Sequence, residues 1–186
     1  MNNFRFPYFA RDIAEFWRRW HISLSTWFRD YVYIPLGGSR HGTIRTVVNV
    51  LIVFVVSGLW HGAKWTFLVW GLIHAMLFLP LILLNKNRAN MDETAKGRLL
   101  PKPREFAAMA ITFSLVTFAW IFFRAENLDQ ALGYIRRLFD PSLFSVPAIG
   151  RGGLVWVAIL IGLDWMHRQD EIPIRWSSLK LSLIHI

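Results

Sequence analysis

The chain has 186 residues, of which 54% are hydrophobic and only 18% charged, with ten Trp, no Cys and a formal net charge of +9. Soluble domains carry roughly a quarter charged residues, so this composition excludes an ordinary water-soluble enzyme, a disordered tail and a disulfide-stapled secreted domain. The basic residues alternate with long uncharged blocks, the pattern of membrane loops and not of a nucleic-acid-binding surface.

The first residues, Met1-Asn2-Asn3-Phe4, lack the basic and apolar regions of a secretory signal. Arg11 to Tyr33 follows as neither a span nor a loop. Ile13, Phe16, Trp17, Trp20, Leu24, Trp27, Phe28 and Tyr31 recur at steps of three and four, which predicts a helix. Arg11, Arg18, Arg19 and Arg29 leave it a basic remainder, so the expectation is one amphipathic helix in the membrane interface, with Trp at headgroup depth and Arg toward phosphates. Asp12, Glu15 and Asp30 interleave with these arginines and read as charge neutralisation. The run Ile34-Pro35-Leu36-Gly37-Gly38 ends the helix.

Four windows then lack Asp, Glu, Lys and Arg: Thr46–Ala63, Trp65–Asn85, Phe106–Phe123 and Gly152–Leu163. A spanning helix needs roughly 20 mainly apolar residues. The second window fits, the first and third fit with flanking residues, and the fourth needs Asp164 and Trp165. These windows predict an all-α polytopic membrane helix bundle: an amphipathic segment over 1–45, a His-bearing hairpin over 46–85, and further membrane helices over 106–123 and 152–166. The stretch 1–45 carries seven basic residues against three acidic, and 86–105 carries six against three. If the first two windows form a hairpin, both stretches share one side, and the excess of Arg and Lys makes it cytoplasmic.

Six histidines occur. His41, His167 and His185 read as solvated loop residues. His21, His61 and His74 lie in apolar surroundings, where an ionisable group is costly and tends to face a cavity or a partner. Each is either a neutral histidine packed between helices or a group with a chemical task, since a neutral imidazole can still act as a base. His74 sits mid-window and reads first as packing. His61 stands between Ser57-Gly58 and Gly62, a small-residue break, and irregular backbone at membrane depth is tolerated only where it is buried or lines a cavity. It is the leading candidate for chemistry. No GxSxG, HExxH, Walker loop or GxGxxG is present, no metal site is expected, and Ser23, Ser25 and Thr26 beside His21 have no evident oxyanion donors.

The run Phe16-Trp17-Arg18-Arg19-Trp20-His21-Ile22-Ser23-Leu24-Ser25-Thr26-Trp27-Phe28-Arg29-Asp30-Tyr31-Val32-Tyr33-Ile34-Pro35-Leu36-Gly37-Gly38 resembles the membrane-bound O-acyltransferase family. It is similar to the branch of alginate O-acetyltransferase membrane subunits and D-alanyl transfer proteins of teichoic acid. Gly58-Leu59-Trp60-His61-Gly62-Ala63 and the following Trp65 to His74 fit the same branch. The similarity is dense from about Asn3 to Leu84 and thin afterwards. It implies His61 as catalytic base and His21 as its polar partner, and leaves the role of His74 open. Arg18, Arg19 and Arg29 become candidates for the donor's phosphates, and Trp20, Trp60 and His74 candidate substrate-contacting residues. No bound cofactor is expected; acetyl-CoA or another acyl thioester would be the donor.

The resemblance further implies a multi-pass protein of the bacterial cytoplasmic (inner) membrane. It would export acetyl groups to an alginate-like extracytoplasmic polysaccharide, with a periplasmic or extracellular acyltransferase as partner. D-alanyl transfer to teichoic acid is the alternative within the branch. Outside it, His61 and His74 would serve a transport or proton-relay protein. Family members usually carry several further spans before this region, so the chain reads as the C-terminal portion of a longer protein.

Overall fold

A computed structural model describes residues 3–141 and 151–169. A single-turn 3-10 segment, Pro7–Phe9, leads into helix α1 (Ile13–Arg19), which Asp12 caps by accepting the Glu15 N–H at 2.7 Å. Helix α2 (Ile22–Phe28) follows and runs into a π turn, Arg29–Tyr33. The expected single amphipathic helix is therefore two. Trp20 is extended and His21 is left-handed, with φ 45° and ψ 54°. The upstream chain occupies this break: Arg5 donates its N–H to the Arg19 carbonyl at 2.9 Å, and Ile22 donates to the Asn3 carbonyl at 3.0 Å. The Asn3 side chain accepts the Ser23 N–H. Backbone groups that helix continuation would have satisfied are thus satisfied by Asn3 and Arg5.

Helix α3 (Gly42–His61), α4 (Trp65–Leu83) and α5 (Pro103–Arg124) are each long and apolar enough to cross a membrane. They coincide with the first three uncharged windows and extend α3 and α5 outward by a few residues. Helix α6 (Leu128–Arg137) is short and capped by Asn127, and α7 (Arg151–His167) covers the fourth window with 17 residues. All described elements are helical. His185 and the residues beyond 169 lie outside the described residues.

The expected small-residue break at Ser57-Gly58 does not occur, because α3 continues through both and ends only after His61, where Gly62 takes φ 149°. Gly58 instead provides close approach. A Cβ there would overlap the Phe67 carbonyl of α4, and one at Gly71 would overlap the Phe54 carbonyl of α3. The two helices thus pack backbone to backbone as an antiparallel hairpin.

Helix α1 lies inside this bundle and not along its edge. Ala10, Ile13 and Phe16 pack with Val116 of α5 and against Leu77, Phe78 and Leu81 of α4. Farther along, Trp17 reaches Trp70 at 5.9 Å between ring centroids, so α1 descends along α4 from Leu81 toward Trp70. Its charged side is fastened to the loop after α4. Arg5 pairs with Glu93 at 2.8 Å, Arg11 with Asp92 at 2.9 Å, and Arg18 donates to the carbonyls of Asn87 and Asn90. The two basic stretches therefore do share one end of the bundle, as their charge predicts.

Candidate active site

His61 is the last residue of α3, at the end opposite this ion-pair layer. Its half-buried ring stands among aromatic edges: Trp60 and Phe123 each at 4.9 Å between centroids and Trp70 at 5.3 Å, all within 11° of perpendicular. Phe67 adds a fourth contact at 6.1 Å. Edge-on packing of this kind fixes the plane of the ring and keeps its surroundings apolar.

His21 occupies the tip where α1 turns into α2. Its left-handed backbone is uncommon for a residue with a side chain, and its Nδ1 is buried without a hydrogen-bond partner. The imidazoles of His21 and His61 lie within electrostatic reach of one another. The two histidines stand 40 positions apart in sequence on separate elements, His21 before α2 and His61 at the end of α3.

His74, at the midpoint of α4, is fully buried. Phe54 and Phe16 stack on its two faces, at 6.0 and 6.5 Å, and Trp17 and Trp70 meet its ring at 5.1 and 4.9 Å. Trp17 Nε1 donates to its Nδ1 at 3.3 Å.

A cavity of about 280 Å³ opens between α2, the π turn, α3 and the end of α4. Arg29, Asn87 and Arg88 lie on the side of the ion-pair layer; Trp17, Phe54 and Ser57 line the deeper part. Ser57 precedes His61 by one helical turn. Among the three arginines singled out from the sequence, Arg29 lines this cavity and also pairs with Asp30 at 2.7 Å, which holds the Asp30 carboxyl below its ordinary pKa. Arg19 is buried against Glu15, and Arg18 is held by the loop carbonyls. Burial lowers the pKa of both guanidiniums from the ordinary arginine value. Their expected place toward phosphates is therefore taken up by protein groups. Trp20 packs on Phe16 and Trp120, while Trp60 is 57% exposed beside His61.

Sequence reading passes over Trp70, Phe123 and Arg88. The four-residue step from Trp70 to His74 on one helix face is a signal that could have found Trp70. Arg88 sits in the basic stretch already marked by its charge. Phe123 carries no such signal. Among the described residues, no group of three or more His, Cys, Asp or Glu converges as a metal site.

The model of MBOAT, the membrane-bound O-acyltransferase family, matches residues 2–98, more than half of the chain. The chain is 43% identical over 161 residues, 86% of its length, to the probable alginate O-acetylase AlgI of Pseudomonas fluorescens, of which that covers 30%. It is 44% identical over 135 residues to the peptidoglycan O-acetyltransferase of Helicobacter pylori, covering 72% of this chain and 24% of that one. Similarity to the teichoic acid D-alanyltransferase of Streptococcus thermophilus is 34% over 133 residues, covering 65% of this chain and 32% of that one. The chain thus spans about a third or less of these relatives.

Proposed function

The chain belongs to the membrane-bound O-acyltransferase family, and we propose that it carries the catalytic segment of a membrane enzyme that O-acetylates an extracytoplasmic polysaccharide. The observation that carries this reading is His61 itself, edge-packed by Trp70 and Phe123 one helical turn beyond Ser57 of the cavity lining, with His21 in electrostatic contact.

In this mechanism His61 is the general base. Its neutral imidazole takes the proton of an acceptor hydroxyl as that oxygen attacks the thioester carbonyl. The new C–O bond forms, the C–S bond breaks, and the proton leaves with the departing thiol. Assistance of this kind contributes about 10²–10⁴ in rate. His21, with an unpartnered buried Nδ1, orients the reacting hydroxyl or the carbonyl. Trp60, Trp70 and Phe123 keep the site poor in water, which suppresses hydrolysis of the thioester.

The donor enters from the end that holds both basic stretches, assigned to the cytoplasm by its Arg and Lys excess. Arg29, one of the three arginines expected there from the sequence, and Arg88 meet its phosphates at the cavity mouth, whereas Arg18 and Arg19 are engaged by protein groups. Acetyl-CoA or another acetyl thioester fits these requirements. The acetyl ester formed on the acceptor hydroxyl faces the other side of a bacterial cytoplasmic membrane, where a separate acyltransferase moves the acetyl group to a polymer hydroxyl and regenerates the first one. Similarity to two O-acetyl-transferring relatives above 40% identity, against 34% for the D-alanyl relative, favours acetyl.

The test is chromosomal replacement of His61 by Ala in the native gene. Ester-linked acetate released by mild alkali from the cell-envelope polysaccharide should fall to the level of a gene deletion. Acetate at the wild-type level, with the variant present in the membrane, would refute the reading.

A further inference from the structure

We infer that His74 is a positioning residue, a fixed hydrogen-bond acceptor that holds α1, the helix that ends just before His21, against the helix wall bearing Trp70, and takes no part in proton movement. The inference rests on His61 being the catalytic base.

An indole N–H can only donate, and Trp17 Nε1 lies 3.3 Å from His74 Nδ1. Nδ1 must therefore present its lone pair, which leaves the ring proton on Nε2. A second proton on Nδ1 would face the indole N–H donor to donor, in a site with no exposure to water. His74 Nε2 has no hydrogen-bond partner and is equally buried. A relay needs a donor and an acceptor on either side of the ring; here one side is blocked by a donor and the other meets none of the polar groups described.

What His74 does touch is informative. Phe54 and Phe16 hold its faces. Trp17 lies on α1, four residues before His21, and α1 ends between them. Trp70 lies one turn before His74 on α4 and packs perpendicular to the His61 ring. The hydrogen bond thus sets how deep α1 descends, and with it the position of His21 at the tip. The ring contact with Trp70 sets the wall against which His61 rests. A polar group buried in an otherwise aromatic box is costly unless it is paired, and the Trp17 bond is the pairing this box supplies at Nδ1.

Substitutions separate positioning from proton transfer. Asn places an acceptor oxygen near the Nδ1 position and cannot relay a proton; Leu fills similar space with no acceptor; Trp17→Phe removes the donor. Each change is made in the native gene, and ester-linked acetate is normalised to the amount of protein in the membrane. His74→Leu and Trp17→Phe should each lower acetylation at least tenfold. The double variant should fall no further than the lower single by more than twofold, because both remove the same bond. His74→Asn should recover at least half of the wild-type level. An Asn variant as inactive as the Leu variant, or a Leu variant at the wild-type level, would overturn the inference.

A second measurement reads the tautomer directly and does not depend on turnover. In membranes containing the ¹⁵N-histidine-labelled protein, the pair of signals absent from His74→Asn should show a bare Nδ1 and a protonated Nε2. The opposite tautomer would overturn it. His61→Ala serves as the control for the underlying reading. Full acetylation there removes the catalytic assignment of His61, whereas loss there together with an inactive His74→Asn removes only the positioning role.

Discussion

Gly71 of α4 lies against the backbone carbonyl of Phe54 on α3 with no room for a side chain between them. Its neighbour Trp70 forms the wall of the His61 ring, and Phe54 covers one face of His74. Gly71→Ala must therefore push the two helices apart at the level of the site. Overpacking of this kind costs typically 1–3 kcal/mol. The expected outcome is a lower midpoint of thermal unfolding for the detergent-solubilised protein, with acetyl transfer reduced more than stability alone explains. An unchanged midpoint would mean that the helices are not in backbone contact.

Glu15 is buried between Arg11 and Arg19, at 3.0 and 2.5 Å. Removing one member of a buried ion pair leaves an uncompensated charge, at a cost of about 3–5 kcal/mol. Glu15→Gln should free α1 from its place beside α4 and expose the 86–105 loop to protease, whereas Glu15→Asp should do so less. Equal protection of wild type and Glu15→Gln would contradict the role given to this pair.

A hydrogen bond from Arg11 holds the Asp92 carboxyl below its ordinary pKa. Because the folded value is depressed, the stability this group contributes is present above the unfolded value and lost as pH falls through the folded one. Unfolded carboxyls titrate near pH 4, so the contact between α1 and the 86–105 loop should hold from pH 7 to 5 and loosen below about pH 4. Amide exchange in the loop should accelerate there. In Asp92→Asn the same amides should exchange faster already at pH 7 and show a smaller acid step.

Arg88 and Arg29 at the cavity mouth are assigned to the donor's phosphates. Arg88→Glu should raise KM for acetyl-CoA about tenfold with kcat nearly kept, the pattern expected when binding is lost equally in the ground and transition states. A change confined to kcat would place Arg88 elsewhere in the mechanism.

Much of this architecture is legible in the sequence, and the parts that are not have a common cause. Charge-free windows located α3, α4 and α5 because a membrane core excludes charge regardless of what the helix packs against. The shared end of the two basic stretches followed from the same rule. The break at Trp20-His21 was hidden, since the apolar period runs unbroken through it. It depends on Asn3 and Arg5, whose backbone and side-chain groups complete the bonds. Likewise Glu15 reads as one of several interleaved charges until the fold buries it between two arginines. The small residues around His61 mark it in the sequence, but they do different things in the fold: Gly58 serves helix contact, and only Gly62 ends the helix. Local pattern reports the solvent each segment meets; contacts across the bundle decide which side chain faces which.

The central claim is that His61 supplies the base for acyl transfer. Its most direct measurement is transfer of labelled acetyl from acetyl-CoA in native membranes, with binding of a non-hydrolysable acetyl-CoA analogue measured in parallel for wild type and His61→Ala. The account predicts analogue binding within about threefold of wild type and transfer slowed by about 10²–10⁴. Transfer at the wild-type rate in His61→Ala would contradict it.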